Sequence, residues 1–148
     1  MPGAQREPGA NGRARRGLAH LAKAKEFLEA AQAALDALWL NAAVSSAVTA
    51  GINAKDALCF AMAGRSTAAG DHKSAVNELR ALGSAGRGPA TVLDRLLGLK
   101  DRAQYDRRGV TAGDAQAAVR RASVLVDSAE RLLTEQVHQP DLRREGGI

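Results

Sequence analysis

Aromatic side chains are nearly absent: Phe27, Trp39, Phe60 and Tyr105 are the whole complement of a 148-residue chain. Strand-rich folds draw on aromatic and β-branched residues, so this scarcity argues against a sheet. Cysteine is scarcer still. Cys59 stands alone, which excludes an internal disulfide framework and any CxxC metal site. Flanked by Leu58, Phe60 and Met62, it reads as a buried, inert thiol. No apolar run follows the N-terminal arginines, because Leu18-Ala19-His20-Leu21 leads directly to Lys23. No signal peptide is read there, and the chain is expected in the cytoplasm. The longest charge-free stretch, Ala37 to Ala54, is interrupted by Asn41, Ser45, Ser46, Thr49, Gly51 and Asn53. Asn41, Ser45, Thr49 and Asn53 stand four apart, as do Val44, Val48 and Ile52, so the stretch is an amphipathic helix and not a membrane span. A polar stripe without charge looks into a neighbour or a cleft.

What is abundant is helix-forming. The chain holds 32 alanines and 17 leucines, and both residue types favour the α-helix. The length suits a single domain. An all-α, up-and-down bundle of four to five helices is expected. The first helix runs from Leu18 to about Leu38, on Leu21, Ala24, Leu28, Ala31, Leu35 and Leu38 at alternating spacings of three and four. Asn41 would cap a second helix that Gly64 stops near Ala63. Asp71 would cap a short third helix through Ala75, Val76 and Leu79. Residues 83–88, with three glycines, read as a flexible connector, after which Pro89 opens a fourth helix. Thr111 and Asp114 form a capping box ahead of the last helix, which carries Ala115, Ala118, Val119, Ala122, Leu125, Val126, Ala129, Leu132 and Leu133.

The formal charge of +5 is unevenly spread. Residues 1–16 carry Arg6, Arg13, Arg15 and Arg16 against Glu7, a net of +3, whereas residues 17–139 carry 15 basic and 13 acidic groups. Residues 1–16 are therefore expected to form a disordered basic arm and 140–148 a flexible tail, with the bundle spanning 17–139. The neutral stripe on the second helix and the long apolar seam of the last predict a homodimer.

Motifs of known chemistry are missing: there is no P-loop, GxGxxG, HExxH or GxSxG. No metal or cofactor is expected, since Asp71 and His72 lack a third ligand at helical spacing. His72 is the most interesting titratable residue. At the start of a helix, the positive dipole end predicts a neutral imidazole able to accept a proton. A second candidate is the end of the fourth helix, where Lys100, Arg102, Arg107 and Arg108 surround Tyr105. Such a group can grip a phosphate and stack a base.

Ala54-Lys55-Asp56-Ala57-Leu58, Arg65-Ser66, Asp71-His72, Lys100-Asp101-Arg102-Ala103-Gln104-Tyr105-Asp106 and Asp114-Ala115 together resemble the HEPN superfamily over residues 18–137. The closest likeness is to small bacterial members from GC-rich genomes. That resemblance implies a dimeric helical bundle of toxin–antitoxin, CRISPR or phage-defence systems, whose active members are metal-independent endoribonucleases. Their motif is an arginine, four to six intervening residues, then a histidine; here Lys100 and Tyr105 occupy the matching positions. Lysine lacks the bidentate fork of arginine, and tyrosine is a poor base at neutral pH. Three functions therefore compete. The first is a non-catalytic module binding a nucleotide, RNA or a partner protein such as a nucleotidyltransferase or antitoxin. The second is a ribonuclease using His72 with Lys100 and Tyr105, and the third is a structural scaffold. In the shared cleft, Lys100 and Arg102 would hold phosphate, Tyr105 would stack or donate a hydrogen bond, and Asp56 or Asp71 would orient His72 or the basic groups, with Arg65 among the ligand-binding residues. All would meet at one pole of the bundle.

Overall fold

The computed structural model describes residues 10–67 and 71–138, and among these it contains five helices and no strand. They are α1 (Ala10–Asp36), α2 (Leu40–Ala63), α3 (His72–Arg80), α4 (Ser84–Tyr105) and α5 (Ala112–His138). The four long helices alternate in direction. Gly17 near the start of α1 lies against Leu133 near the end of α5 and the Ala57 carbonyl of α2. The Gln136 amide donates to the Ala61 carbonyl at 2.9 Å, and Lys25 pairs with Glu130. At the opposite pole, Lys100, Ala103 and Gln104 of α4 face Asn41, Val44 and Ser45 of α2. α1 and α4 therefore run one way, α2 and α5 the other.

α3 is a short strut on the side of this bundle. Its first residue, His72, meets Asp94 and Asp101 of α4, while Leu79 near its end touches Gly86. It thus runs antiparallel to α4 and adds no net reversal between α2 and α4. The Asp71 carboxylate caps it, accepting the Ser74 amide at 2.8 Å as the sequence predicts. Thr111 likewise caps α5, its hydroxyl oxygen accepting the Asp114 amide at 3.1 Å.

The core is mostly leucine and alanine, joined by valines from α2, α3 and α5. Leu79, Leu93, Leu96, Leu125 and Leu133 are fully buried, each contributing roughly 1.5–3 kcal/mol by burial. Around them lie alanines with no exposed surface: Ala24 and Ala31 in α1, Ala43, Ala47, Ala50, Ala54 and Ala57 in α2, Ala115, Ala118, Ala122 and Ala129 in α5. The apolar seam of α5 is consumed by the chain's own core, because α5 packs on α1, α2 and α4. It is therefore not the free face from which the homodimer was expected.

Three boundaries differ from the sequence expectation. α1 begins at Ala10 and not at Leu18, so residues 10–16 are helical where a disordered arm was expected. Arg16 lies over the Phe60 ring at 5.9 Å, and the Arg13 guanidinium reaches Gly64 at the end of α2, which gives this turn something to pack on. The first nine residues and residues 139–148 lie outside the described part, and with them the whole of the expected C-terminal tail. α2 is capped at Trp39 without a side-chain hydrogen bond, so Asn41 belongs to the helix body. α4 begins at Ser84, leaving Pro89 inside it. Gly86 in this first turn serves close approach: a Cβ on it would collide with the Leu79 carbonyl.

The α1–α2 corner carries one strained residue. Trp39 N–H bonds the Ala34 carbonyl at 2.8 Å and Leu38 N–H bonds the Leu35 carbonyl at 3.0 Å, the pair of bonds that ends a helix in a Schellman motif. That motif needs a left-handed residue, a position glycine usually fills. Here it is Leu38, with φ of 62°.

Candidate functional site

His72 is held from both sides. Its Nε2 lies 2.8 Å from Asp94 Oδ1 and its Nδ1 2.9 Å from Asp101 Oδ2. Asp94 and Asp101 are seven residues apart, two turns along one face of α4, and the imidazole at the start of α3 bridges them. Partial burial disfavours the charged ring, but the hydrogen bonds and charges of Asp101 and Asp94 outweigh it and raise the His72 pKa above its ordinary 6.5. The helix dipole was expected to keep this ring neutral; two carboxylates at hydrogen-bond distance reverse the sign. In the imidazolium both ring nitrogens donate and no lone pair remains to act as a base.

The residues expected to share a cleft with His72 are divided among separate places. Lys100 lies on a different side of α4 from Asp101 and lines a groove of about 330 Å³ between α4 and the first half of α2. Val44, Val48, Ala103 and Val110 form its apolar floor, and Asn41, Ser45, Thr49 and Gln104 its uncharged rim. The neutral stripe of α2 thus looks into a cleft, as its composition suggested. Tyr105 lies one turn beyond Asp101 on the His72 side of α4 and is 85% exposed. Arg102 faces solvent, and so does Arg65. Asp71 is occupied as the α3 cap and does not orient His72. The end of α2 and the end of α4 lie at opposite poles, because α3 returns alongside α4 before α4 ascends; the expected common pole does not exist.

Asp56 belongs to a second cluster, one that sequence reasoning missed. Among the described residues, Lys55 is the one charged residue that is buried. Its ammonium donates to Glu78 Oε2 at 2.9 Å, to Ser66 Oγ at 3.2 Å and to the Thr67 carbonyl at 3.4 Å, and it pairs with Asp56 Oδ1 at 2.8 Å. Ser66 Oγ donates to Asp56, and Glu78 Oε1 accepts the Thr67 amide at 2.8 Å. Burial opposes the charge on Lys55, yet its hydrogen bonds to Asp56 and Glu78 raise its pKa. Burial likewise pushes the Glu78 carboxyl up, but the Lys55 and Thr67 contacts leave it lower than usual. Cys59, one turn along α2, is buried and its thiol is pushed up to about 12, mainly by desolvation. A thiol held protonated is not a nucleophile at neutral pH, in agreement with the inert cysteine expected. The cluster ties Ser66 and Thr67, just past α2, to Lys55, Asp56 and Glu78.

His20 is half-buried and stacks on Phe60 with ring centroids 5.2 Å apart. Among the described residues no group of three or more histidines, cysteines and acids could hold a metal, and no helix is long and apolar enough to cross a membrane. No known protein family, curated protein or solved structure matches the chain.

Proposed function

We propose that this chain is a non-catalytic, HEPN-like helical module that acts as a homodimer and binds a nucleotide or RNA. The observation that carries this reading is the engagement of both His72 ring nitrogens by Asp94 and Asp101. A ribonuclease without metal needs a base with a free lone pair near the attacking hydroxyl. A doubly paired imidazolium is a structural clasp instead, and Lys100 opens onto a different side of the helix. Binding fits the end of α4 better than cutting does. Arg102, Arg107 and Arg108 are exposed beside Tyr105, which offers cations for phosphate and a ring for stacking. The resemblance supplies the rest: a toxin–antitoxin or genome-defence setting, with a nucleotidyltransferase or an antitoxin as the cognate protein.

The test is an anisotropy titration with labelled single-stranded RNA and with a nucleotide, beside a cleavage assay in EDTA. Binding that weakens steeply with salt, falls in Arg102→Ala and Tyr105→Ala and leaves the RNA intact is the expected result. Cleavage that vanishes in His72→Ala would instead make the protein a ribonuclease. Absence of binding to either ligand would leave a structural scaffold.

A further inference from the structure

Three neighbouring residues at the α1–α2 corner each stand where local physics disfavours them. Asp36 is the last residue of α1, at the negative end of the helix dipole, in a last turn with no basic residue. Leu38 holds a left-handed backbone that costs a side-chain-bearing residue about 1–2 kcal/mol, and its side chain is 73% exposed. Trp39, the chain's one tryptophan, is 69% exposed at the start of α2. Strain and exposed apolar surface gathered in one short segment point to a partner.

The same pole holds the complement. Two residues past Trp39, Asn41 begins the groove between α2 and α4, with its valine and alanine floor. Its rim is uncharged except for Lys100. One surface thus offers an apolar knob beside an anion, and its neighbour an apolar groove beside a cation. Knob and groove on one chain are self-complementary across a two-fold axis.

We infer that this pole is an interface between two copies of the chain, in which the Leu38–Trp39 knob of each enters the other's α2–α4 groove. The inference rests on the dimer of the preceding reading and gives it a surface. Asp36, carried in with the knob, approaches the other copy's Lys100, and the negative end of α1 adds to that attraction. Leu38 and Trp39 together present roughly 300 Å² of exposed side chain, and two such knobs supply roughly 600 Å² before the groove walls they cover are added. The uncharged rim lets the two copies approach without like-charge repulsion, which accounts for a polar stripe without charges on α2.

Sedimentation equilibrium of the full chain at tens of micromolar tests this. The wild type sediments as a dimer, and Trp39→Ala weakens self-association by at least roughly 30-fold, the size of a hot-spot loss. Because Trp39 is exposed within one chain, that variant keeps its fold, which far-ultraviolet dichroism checks. The lone tryptophan supplies a second readout: its emission shifts to the red as the dimer is diluted apart. Asp36→Lys and Lys100→Glu each weaken the dimer, and combining them restores it. A monomeric wild type, a dimer indifferent to Trp39→Ala, an emission maximum unmoved by dilution or a charge exchange without rescue would each overturn the interface. Ligand binding is scored separately: a Trp39-dependent dimer that binds neither RNA nor nucleotide sinks the binding half of the functional reading alone, and RNA binding by a monomer sinks the interface and the dimer but leaves the binding.

Discussion

Glu78 of α3 places one carboxylate oxygen 2.9 Å from the Nζ of Lys55, and its other oxygen accepts the Thr67 amide. One side chain thereby joins α3, α2 and the chain between them. Breaking such a buried pair leaves an uncompensated charge. Glu78→Gln should cost about 3 kcal/mol, and Lys55→Ala at least as much, read as a lowered urea midpoint. The pH dependence follows from the sign of the shift. Glu78 titrates below its ordinary 4.5 in the folded chain, so its stabilisation is complete above that value. It is lost as pH falls through the lowered folded value. An acid titration of wild type should lose stability in that window, and Glu78→Gln should lose less there.

His72 behaves in the opposite sense. Its pKa is raised above 6.5 by Asp101 and Asp94 against partial burial. The clasp is therefore fully formed below 6.5 and is lost as pH rises through the raised folded value. A proton NMR titration of the imidazole should place its midpoint above 6.5, and Asp101→Asn or Asp94→Asn should lower it. Both acids are about half exposed, so each pairing contributes only about 0.2–1 kcal/mol and weakens with salt. A midpoint at or below 6.5 would restore a neutral ring and the possibility of base chemistry.

Leu38→Gly should raise the stability of a single chain by about 1 kcal/mol, because glycine adopts the left-handed corner without penalty. Thermal unfolding at concentrations where the chain is monomeric measures this. A loss of stability would mean that the Leu38 side chain packs within its own chain.

Removing residues 1–16 should lower the melting temperature. The turn from Ala10 to Arg16 extends α1, and Arg16 over Phe60 contributes about 0.5–1 kcal/mol. An unchanged melting temperature would return this segment to the status of an unattached arm.

The helical framework was legible because each apolar stripe reports one buried face. Leu21, Ala24 and Ala31 are buried at the spacing read from α1, and Asp71, Gly64 and Thr111 end or begin their helices as their chemistry predicts. The start of α1 was not legible, since Gly12, Gly17 and three arginines carry no apolar period, and Phe60 and Gly64 of α2 give that turn a surface. The candidate site was legible by halves. His72 announced itself as the histidine at a cap, but Asp94 and Asp101 lie 22 and 29 residues away, and no local pattern says which face of α4 meets α3. Lys55 did leave a signal. Gly51, Lys55 and Cys59 stand four apart on the buried side of α2, so a lysine in that row had to find carboxylates inside the fold.

The alanines of the core have a thermal consequence. Helices that meet through methyl groups cover little apolar surface per residue on folding, and the heat capacity gained on unfolding scales with that surface. This chain should therefore have a small heat-capacity change for its length and a shallow stability curve. Stability spread thinly across a wide temperature range, with cold denaturation pushed far down, is what a core of eleven fully enclosed alanines around a few leucines implies.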